Sequence, residues 1–483
     1  MIELSFDIID IGAVPEPSGD SILFGNSRLE IFSSPLLEKA VSAIGPATWI
    51  WIGEEEDPLR DWPENADRVA GYSTHVGCEG VAICVRPDLN KPSIVVVRTY
   101  QGTSPLYVSS CGTRVNVSWR YERVVAGIAK VAPDLDACRI FVENGASLVR
   151  NQIIGGTYNF WPGETVLFNA DGVNFRHAPD RGIPASTPVS ADAMVCDAFY
   201  EIIKAELSRF AGKSKSPLVE FSGGMDSSTL ALAAGEVFSM PSTYGLIQMG
   251  IMGEQQRKRR GEIVRVGTIR DFEYPAFNDR PFAGLGNAEC QRAIYDDNHR
   301  PACAAATDAH PNGPFDLLVA GIGGDELMIE HTYMREEWEL PGTCCTSAVV
   351  AGSARADMFL RRGIWPVNPL ASLEVVDFCR SLPAEFRANR QMVILNLARR
   401  GLSDGFLFPR IREHYGEMMR HEMAFIDFEE IFHDSFITSY DIVDLDDLYS
   451  RVRESHFKGF AHPLINRLWK IAKLNAVFAN YMK

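Results

Sequence analysis

No apolar run in this chain reaches the roughly 18 residues needed to span a bilayer. Basic residues are scarce: 47 Lys and Arg stand against 63 Asp and Glu, a formal net charge of −16. That deficit argues against a general nucleic-acid binder, which needs a basic surface. The one dense basic cluster, Arg257-Lys258-Arg259-Arg260, reads as the solvated face of a helix. The ten cysteines include no CxxC pair; Cys344 and Cys345 are adjacent, and Cys303 has no matching His spacing, which speaks against a structural zinc site. Most of them are expected to be reduced, small and buried. The first residues, Met1-Ile2-Glu3-Leu4-Ser5-Phe6-Asp7, carry acid where a signal peptide carries base. The expected setting is cytoplasmic, with neither membrane nor nucleic acid as a partner. Internal repeats and low-complexity segments are also missing.

What is present belongs to a globular protein. The composition is 46% hydrophobic and 23% charged. A chain of 483 residues exceeds one ordinary core, so two domains are expected. The first part reads as layered β structure, with strands at 81–85, 93–98 and 113–118 and a hairpin arm at 165–168. A linker follows at 179–188, rich in Pro and Gly. Helical periodicity then runs from Ala191 to Phe210, with Met194, Phe199, Ile202, Ile203 and Leu207 as its apolar positions. Short strands at Leu218–Phe221, Tyr244–Met249 and Leu317–Val319 alternate with helices, the pattern of a parallel sheet covered on both faces. Beyond Ala384 the chain reads as mostly helical.

The most specific string is Glu220-Phe221-Ser222-Gly223-Gly224-Met225-Asp226-Ser227-Ser228. A short apolar segment runs into it and a helix-forming segment leaves it. Strand, glycine turn and helix start together present backbone N–H groups to an anion. Gly223 and Gly224 let the backbone approach closely. Ser222, Ser227 and Ser228 add hydroxyls, and Asp226 adds a carboxylate able to hold Mg²⁺. The ligand that fits is a nucleotide pyrophosphate. A ligand-free glycine turn is the plainer reading, and the length of the string outweighs it. A Walker loop is excluded because the GK[ST] ending is missing.

A second string, Phe315-Asp316-Leu317-Leu318-Val319-Ala320-Gly321-Ile322-Gly323-Gly324-Asp325-Glu326, repeats the strand-to-glycine-turn design. By itself it would be a weak signal. Downstream of the first string it supplies Gly321, Gly323 and Gly324 as a further phosphate-side turn. Asp325 becomes a second Mg²⁺ carboxylate facing Asp226 across a triphosphate.

Together SGGMDSS and GIGGDE resemble the synthetase domain of the asparagine synthetase superfamily, whose ATP-pyrophosphatase loop activates a carboxylate as its adenylate. Weaker matches extend the resemblance: Glu254 to Arg265; Trp365 to Leu370 with Phe378 and Ser381-Leu382-Pro383; Arg98 to Tyr107; and Trp161-Pro162-Gly163. The resemblance implies residues 1–183 as a glutaminase-like (Ntn-type) β sandwich. It implies residues 184–483 as a doubly wound parallel-sheet ATP-pyrophosphatase domain with a helical tail. ATP and Mg²⁺ are the implied cofactors.

Two departures narrow the function. A glutaminase needs a cysteine at position 2, whose own amine is the base; here position 2 is Ile2, and no cysteine precedes Cys78. Ammonia is therefore not expected from glutamine. The x of GxGGD, which handles the amine's proton in asparagine- and β-lactam-forming members, is Ile322. What remains most similar is the lasso-peptide macrolactam cyclases, which the tail from Arg399-Arg400 through Pro409 to Tyr415 and the terminal helix also resemble. The implied substrate is a ribosomal precursor peptide freed of its leader, with a leader peptidase and a leader-binding protein as possible partners. A β-lactam-forming or other small-molecule amide ligase is the enzyme alternative, and a non-catalytic nucleotide binder the third. Arg410 and Arg412 are candidates to hold pyrophosphate or adenylate, against a surface ion pair. Lys458 is the alternative cation. Glu326 reads as a cap, and His331 and Tyr333 as packed or exposed rather than as acceptor-site residues.

Overall fold

A computed structural model describes the chain except residues 56–75, 88–90, 146–149, 178–188, 190–193, 296, 329–345, 412–415, 424, 429–431, 433–434, 459–461 and 483. The protein is mixed α/β, with two antiparallel sheets first and one parallel sheet after them.

The first strand, Ile2–Asp7, alternates Ile2, Leu4 and Phe6 with Glu3, Ser5 and Asp7, so one face is buried. It sits inside a seven-stranded antiparallel sheet, between Arg114–Ser118 and Ser27–Ile31. The second antiparallel sheet has six strands. Its central members Gly80–Arg86 and Ser93–Arg98 are valine- and isoleucine-rich because both of their faces are covered. Ile94 and Val96 join the core that also takes Leu4 and Phe6 from the first sheet. Val95 and Val97 point the other way, against Trp49 and Trp51. The two sheets thus share one core, as in a sandwich. The expected hairpin is Glu164–Asn169 paired with Gly172–His177. Ile2 is fully buried in this core.

The expected helix after residue 191 is Val195–Ala211; Met194 only precedes it and is exposed rather than apolar-buried. The parallel sheet then has the order Arg270–Pro275, Ser242–Ile247, Pro217–Glu220, Leu317–Val319, Trp365–Val367. Successive side chains serve opposite faces. Val219, Leu317 and Val319 meet the core that includes Leu230 and Ile203. Leu218 and Leu318 meet Ala302, Ala306 and Phe359. Two of these strands carry no sequence signal. Arg270–Pro275 (RDFEYP) is an edge strand with three charged residues among its six. Trp365–Val367 contains Pro366, which is tolerated only because this strand too is an edge.

The basic cluster is not a solvated face throughout. Arg257 is half exposed, pairing with Glu273 at 2.9 Å, whereas Arg259 and Arg260 are buried. Arg260 lies over the Phe221 ring and pairs with Asp271, so its charge is compensated inside the protein. Seven of the eight described cysteines are buried, and all eight are free; Cys344 and Cys345 lie outside the described residues. No helix among the described residues is long and apolar enough to cross a membrane.

Candidate functional site

The strand that comes first in the parallel sheet, Pro217–Glu220, lies at its centre. The next two strands extend the sheet to one side and the last two to the other. The order therefore reverses between Pro217–Glu220 and Leu317–Val319, which are parallel neighbours paired at Val219–Val319. Turns at the carboxyl ends of two such strands diverge and leave a crevice. Both glycine-rich strings fall there.

The first turn runs from Phe221 into the helix Met225–Val237. Gly223 has φ +89°, in the left-handed region, and a Cβ there would meet the Arg260 side chain at 3.2 Å. Ser222 and Ser227 fasten the turn: Gly224 N–H donates to Ser222 Oγ (3.1 Å), and Ser222 N–H donates to Ser227 Oγ (3.2 Å). The second turn passes through Gly323 (φ +103°) into the short helix Gly324–Met328. The two turns touch. A Cβ on Gly321 would lie 3.3 Å from the Ser227 backbone, and one on Gly324 would lie 2.5 Å from the Asp226 carboxyl carbon. Asp325 follows Gly324 directly, so the chain brings the two aspartates to the same corner; the Asp325 side chain lies outside the described set.

Between the turns opens a cavity of about 330 Å³. Ser222, Gly224, Asp226, Ser227 and Gly321 line it. Gly223, Gly323 and Gly324 belong to the two turns without lining it, and Ser228 is fully buried. Asp226 Oδ2 accepts from Arg390 Nη1 at 2.9 Å. Asp226 Oδ1 is buried and has no hydrogen-bond partner among the described residues. Burial pushes the Asp226 carboxyl up, and the Arg390 guanidinium opposes that shift. Arg390 is delivered by unusual backbone: Asn389 (φ 53°) and Arg390 (φ 60°) are both left-handed. Such a conformation costs about 1–3 kcal/mol per residue and is retained where the surroundings over-determine it.

The opposite wall is a charged network. Arg355 pairs with Glu220 at 3.2 Å and also with Asp297. Tyr244 donates its hydroxyl hydrogen to Glu220 at 2.5 Å, and the His299 backbone N–H donates to Asp297 Oδ1 at 2.8 Å. Burial holds the His299 imidazole down at about 4, pushes the Cys303 thiol up to about 12 and keeps the Tyr244 phenol well above its ordinary range.

Not every expected residue reaches the cavity. Arg410 is exposed and does not line it; its neighbour Ile411 instead accepts from and donates to the Gln255 side-chain amide through its backbone. Arg412, His331 and Tyr333, and the side chains of Lys458 and Glu326, lie outside the described residues. Conversely, Arg390, Arg355, Tyr244 and His299 escaped the sequence reading, because none stands in a glycine string. Only Asn389, a residue type that tolerates left-handed backbone, hinted at the turn before Arg390.

The arrangement offers backbone N–H groups and hydroxyls for an anion. It offers a buried carboxylate oxygen fit for a divalent cation, and the wall across from it carries the His299 imidazole, the Glu220 carboxylate and the Arg355 guanidinium. Compared with known protein families and with curated proteins, the chain matches no family model and no curated sequence.

Proposed function

We propose that the protein is an ATP-dependent, AMP-forming amide ligase of the asparagine synthetase superfamily, working in the cytoplasm as a macrolactam cyclase on a leader-free ribosomal peptide. In this reading residues 1–183 form a glutaminase-like domain without its nucleophile, and residues 184–483 form the synthetase domain. One observation carries it: two glycine turns, about a hundred residues apart in the chain, meet at the sheet's reversal point with Asp226 Oδ1 buried and unpaired among the described residues.

The polyphosphate of ATP fits the first turn, held by backbone N–H groups and by the Ser222 and Ser227 hydroxyls. Asp226 and Asp325 are the residues that would hold Mg²⁺, which, when bound, supplies neutralisation of pyrophosphate charge. The donor, an Asp or Glu side chain of the peptide, attacks the α-phosphorus and pyrophosphate leaves. The peptide's α-amine then attacks the acyl carbon and AMP leaves. Positioning accounts for much of the rate, since a ring-closing amine must be held against an acyl carbon.

The products decide the matter. Incubation with ATP, Mg²⁺ and a pool of synthetic peptides, each with a free α-amine and one Asp or Glu some residues on, is expected to yield AMP, pyrophosphate and a peptide lighter by one water. Chromatography of nucleotides and mass spectrometry read this directly. ADP as the sole nucleotide product would remove the assignment. Cyclisation of a small amino diacid, with every peptide untouched, would transfer it to β-lactam-type chemistry.

A further inference from the structure

We infer that a second cavity, at the carboxyl ends of the strands Ser242–Ile247 and Arg270–Pro275, is the subsite for a bulky apolar residue of the substrate peptide, whose backbone carbonyl accepts from Gln248; the inference rests on the ligase reading above. The cavity measures about 330 Å³ and is walled by Met249, Met252, Ala276, Phe277 and Met418. Met249 and Phe277 follow the two strands, Met252 comes from the helix Gly250–Val266 and Met418 from the helix Gly416–Met423. Ala276 is buried, whereas Met249 and Phe277 are 51% and 45% exposed, so water meets much of this apolar wall. Ile251 and Phe425 nearby are exposed as well, the latter with its ring 5.5 Å from that of His421. Glu417, Arg420 and His421 rim the cavity from exposed positions, the first two paired with each other. One polar lining group is buried. Gln248 is only 5% exposed, and its Nε2 has no hydrogen-bond partner among the described residues. A buried donor left unpaired is unfavourable for the free protein, and a ligand oxygen would satisfy it. An apolar concavity with one placed polar group is the usual form of a ligand pocket.

Position identifies the occupant. Tyr244, Gly245 and Leu246 line the cavity between the two glycine turns, and Ile247 alone separates them from Gln248. Gln256 ties the two regions together: its Oε1 accepts from the Gln248 backbone N–H at 2.7 Å, and its Nε2 donates to the Leu246 carbonyl at 3.3 Å. Two residues of extended chain span about 7 Å. A peptide with its reacting carboxylate in the first cavity therefore reaches the second within a few residues. Each residue of a peptide sets a side chain beside a carbonyl, which matches an apolar wall beside one amide donor. A small amino diacid has no such apolar group and would leave the wall wet. Three methionines in the wall are unbranched and polarisable and adapt to more than one shape. The preference is thus for a class of side chain, Phe, Trp, Leu or Met, rather than for one residue.

Methionine-methyl NMR of the whole protein reads the site without turnover. N-acetyl-phenylalanine amide is expected to shift the Met249, Met252 and Met418 methyls, and N-acetyl-serine amide to leave them in place. No shift with the phenylalanine probe overturns the proposal. Shifts with ATP and none with the probe mark a slot for the nucleotide base and overturn it too. Two variants then connect the site to the reaction. Gln248→Leu removes the unpaired donor, so it is expected to raise the urea midpoint while raising the KM of pool peptides with an apolar residue near the Asp or Glu by about five- to tenfold, with the KM for ATP unchanged. Met249→Asp, at a half-exposed position that tolerates charge, is expected to weaken the same peptides by about tenfold or more. A lower urea midpoint for Gln248→Leu with an unchanged peptide KM makes Gln248 a packing residue and overturns the proposal. AMP formation that responds neither to the variants nor to the apolar residue overturns the subsite and leaves the ligase reading standing. Probe binding with no AMP from any peptide overturns the ligase reading, and the substrate role of the cavity with it.

Discussion

Asp226→Asn is expected to stop AMP and pyrophosphate formation while leaving the protein folded. Asparagine keeps the side chain's shape and one oxygen for Arg390, which donates to Asp226 Oδ2 at 2.9 Å. What disappears is the negative charge on a buried carboxylate whose second oxygen has no partner among the described residues. If that oxygen is a cation ligand, the loss amounts to several kcal/mol of transition-state stabilisation. At about 1.4 kcal/mol per factor of ten, turnover falls by roughly a thousandfold or more. Asp325→Asn is expected to behave alike, since Gly324 places the two residues together. Fold loss is not expected, because burial already disfavours the charged form of Asp226. Turnover assays with circular dichroism check both halves of the statement. Near-normal turnover in both variants would reduce the aspartates to turn residues.

Arg98→Met is expected to give the largest loss of stability. Arg98 and Glu79 are each about 1% exposed and pair at 3.4 Å. The guanidinium also donates to the Phe160 carbonyl at 2.7 Å and to the Ser104 carbonyl. Glu79 in turn accepts from the Thr103 N–H at 2.5 Å. Removing only the cation strands a carboxylate in the interior, a change that costs about 3–5 kcal/mol. The paired change Arg98→Met with Glu79→Gln removes both charges and is expected to recover a good part of the loss. Urea midpoints of the two variants measure the difference. Equal midpoints for the single and the double variant would mean that the pair's charge is of no consequence.

Much of the fold was legible because periodicity reports burial. Ser93–Arg98 and Leu317–Val319 were read at their observed bounds, since each is a short apolar run between breakers. The glycine strings disclosed the turns, since left-handed backbone at Gly223 and Gly323 demands that residue type. The opposite wall was not legible. Glu220, Asp297 with His299, and Arg355 come from three separate stretches, and only packing joins them. The basic cluster misled for a related reason: charge in a helix suggests solvent, yet Arg260 finds Asp271 inside. Edge strands were missed where tertiary cover replaced a sequence signal, as at Trp365–Val367.

That last strand has a consequence for dividing the molecule. It ends the parallel sheet, and an open sheet edge is a template for pairing with other chains. Here the first half of the chain closes it. Glu54 accepts from the Trp365 indole at 2.8 Å, Thr103 donates to the Pro366 carbonyl at 3.1 Å, and Phe32 lies 5.9 Å from the Trp365 ring. The first half thus serves as a cover on that edge. A fragment beginning at residue 184 would uncover the Trp365 ring and the Pro366 carbonyl together. It is expected to self-associate in size-exclusion chromatography under conditions where the whole chain does not, and co-expression with residues 1–183 is expected to restore its dispersion.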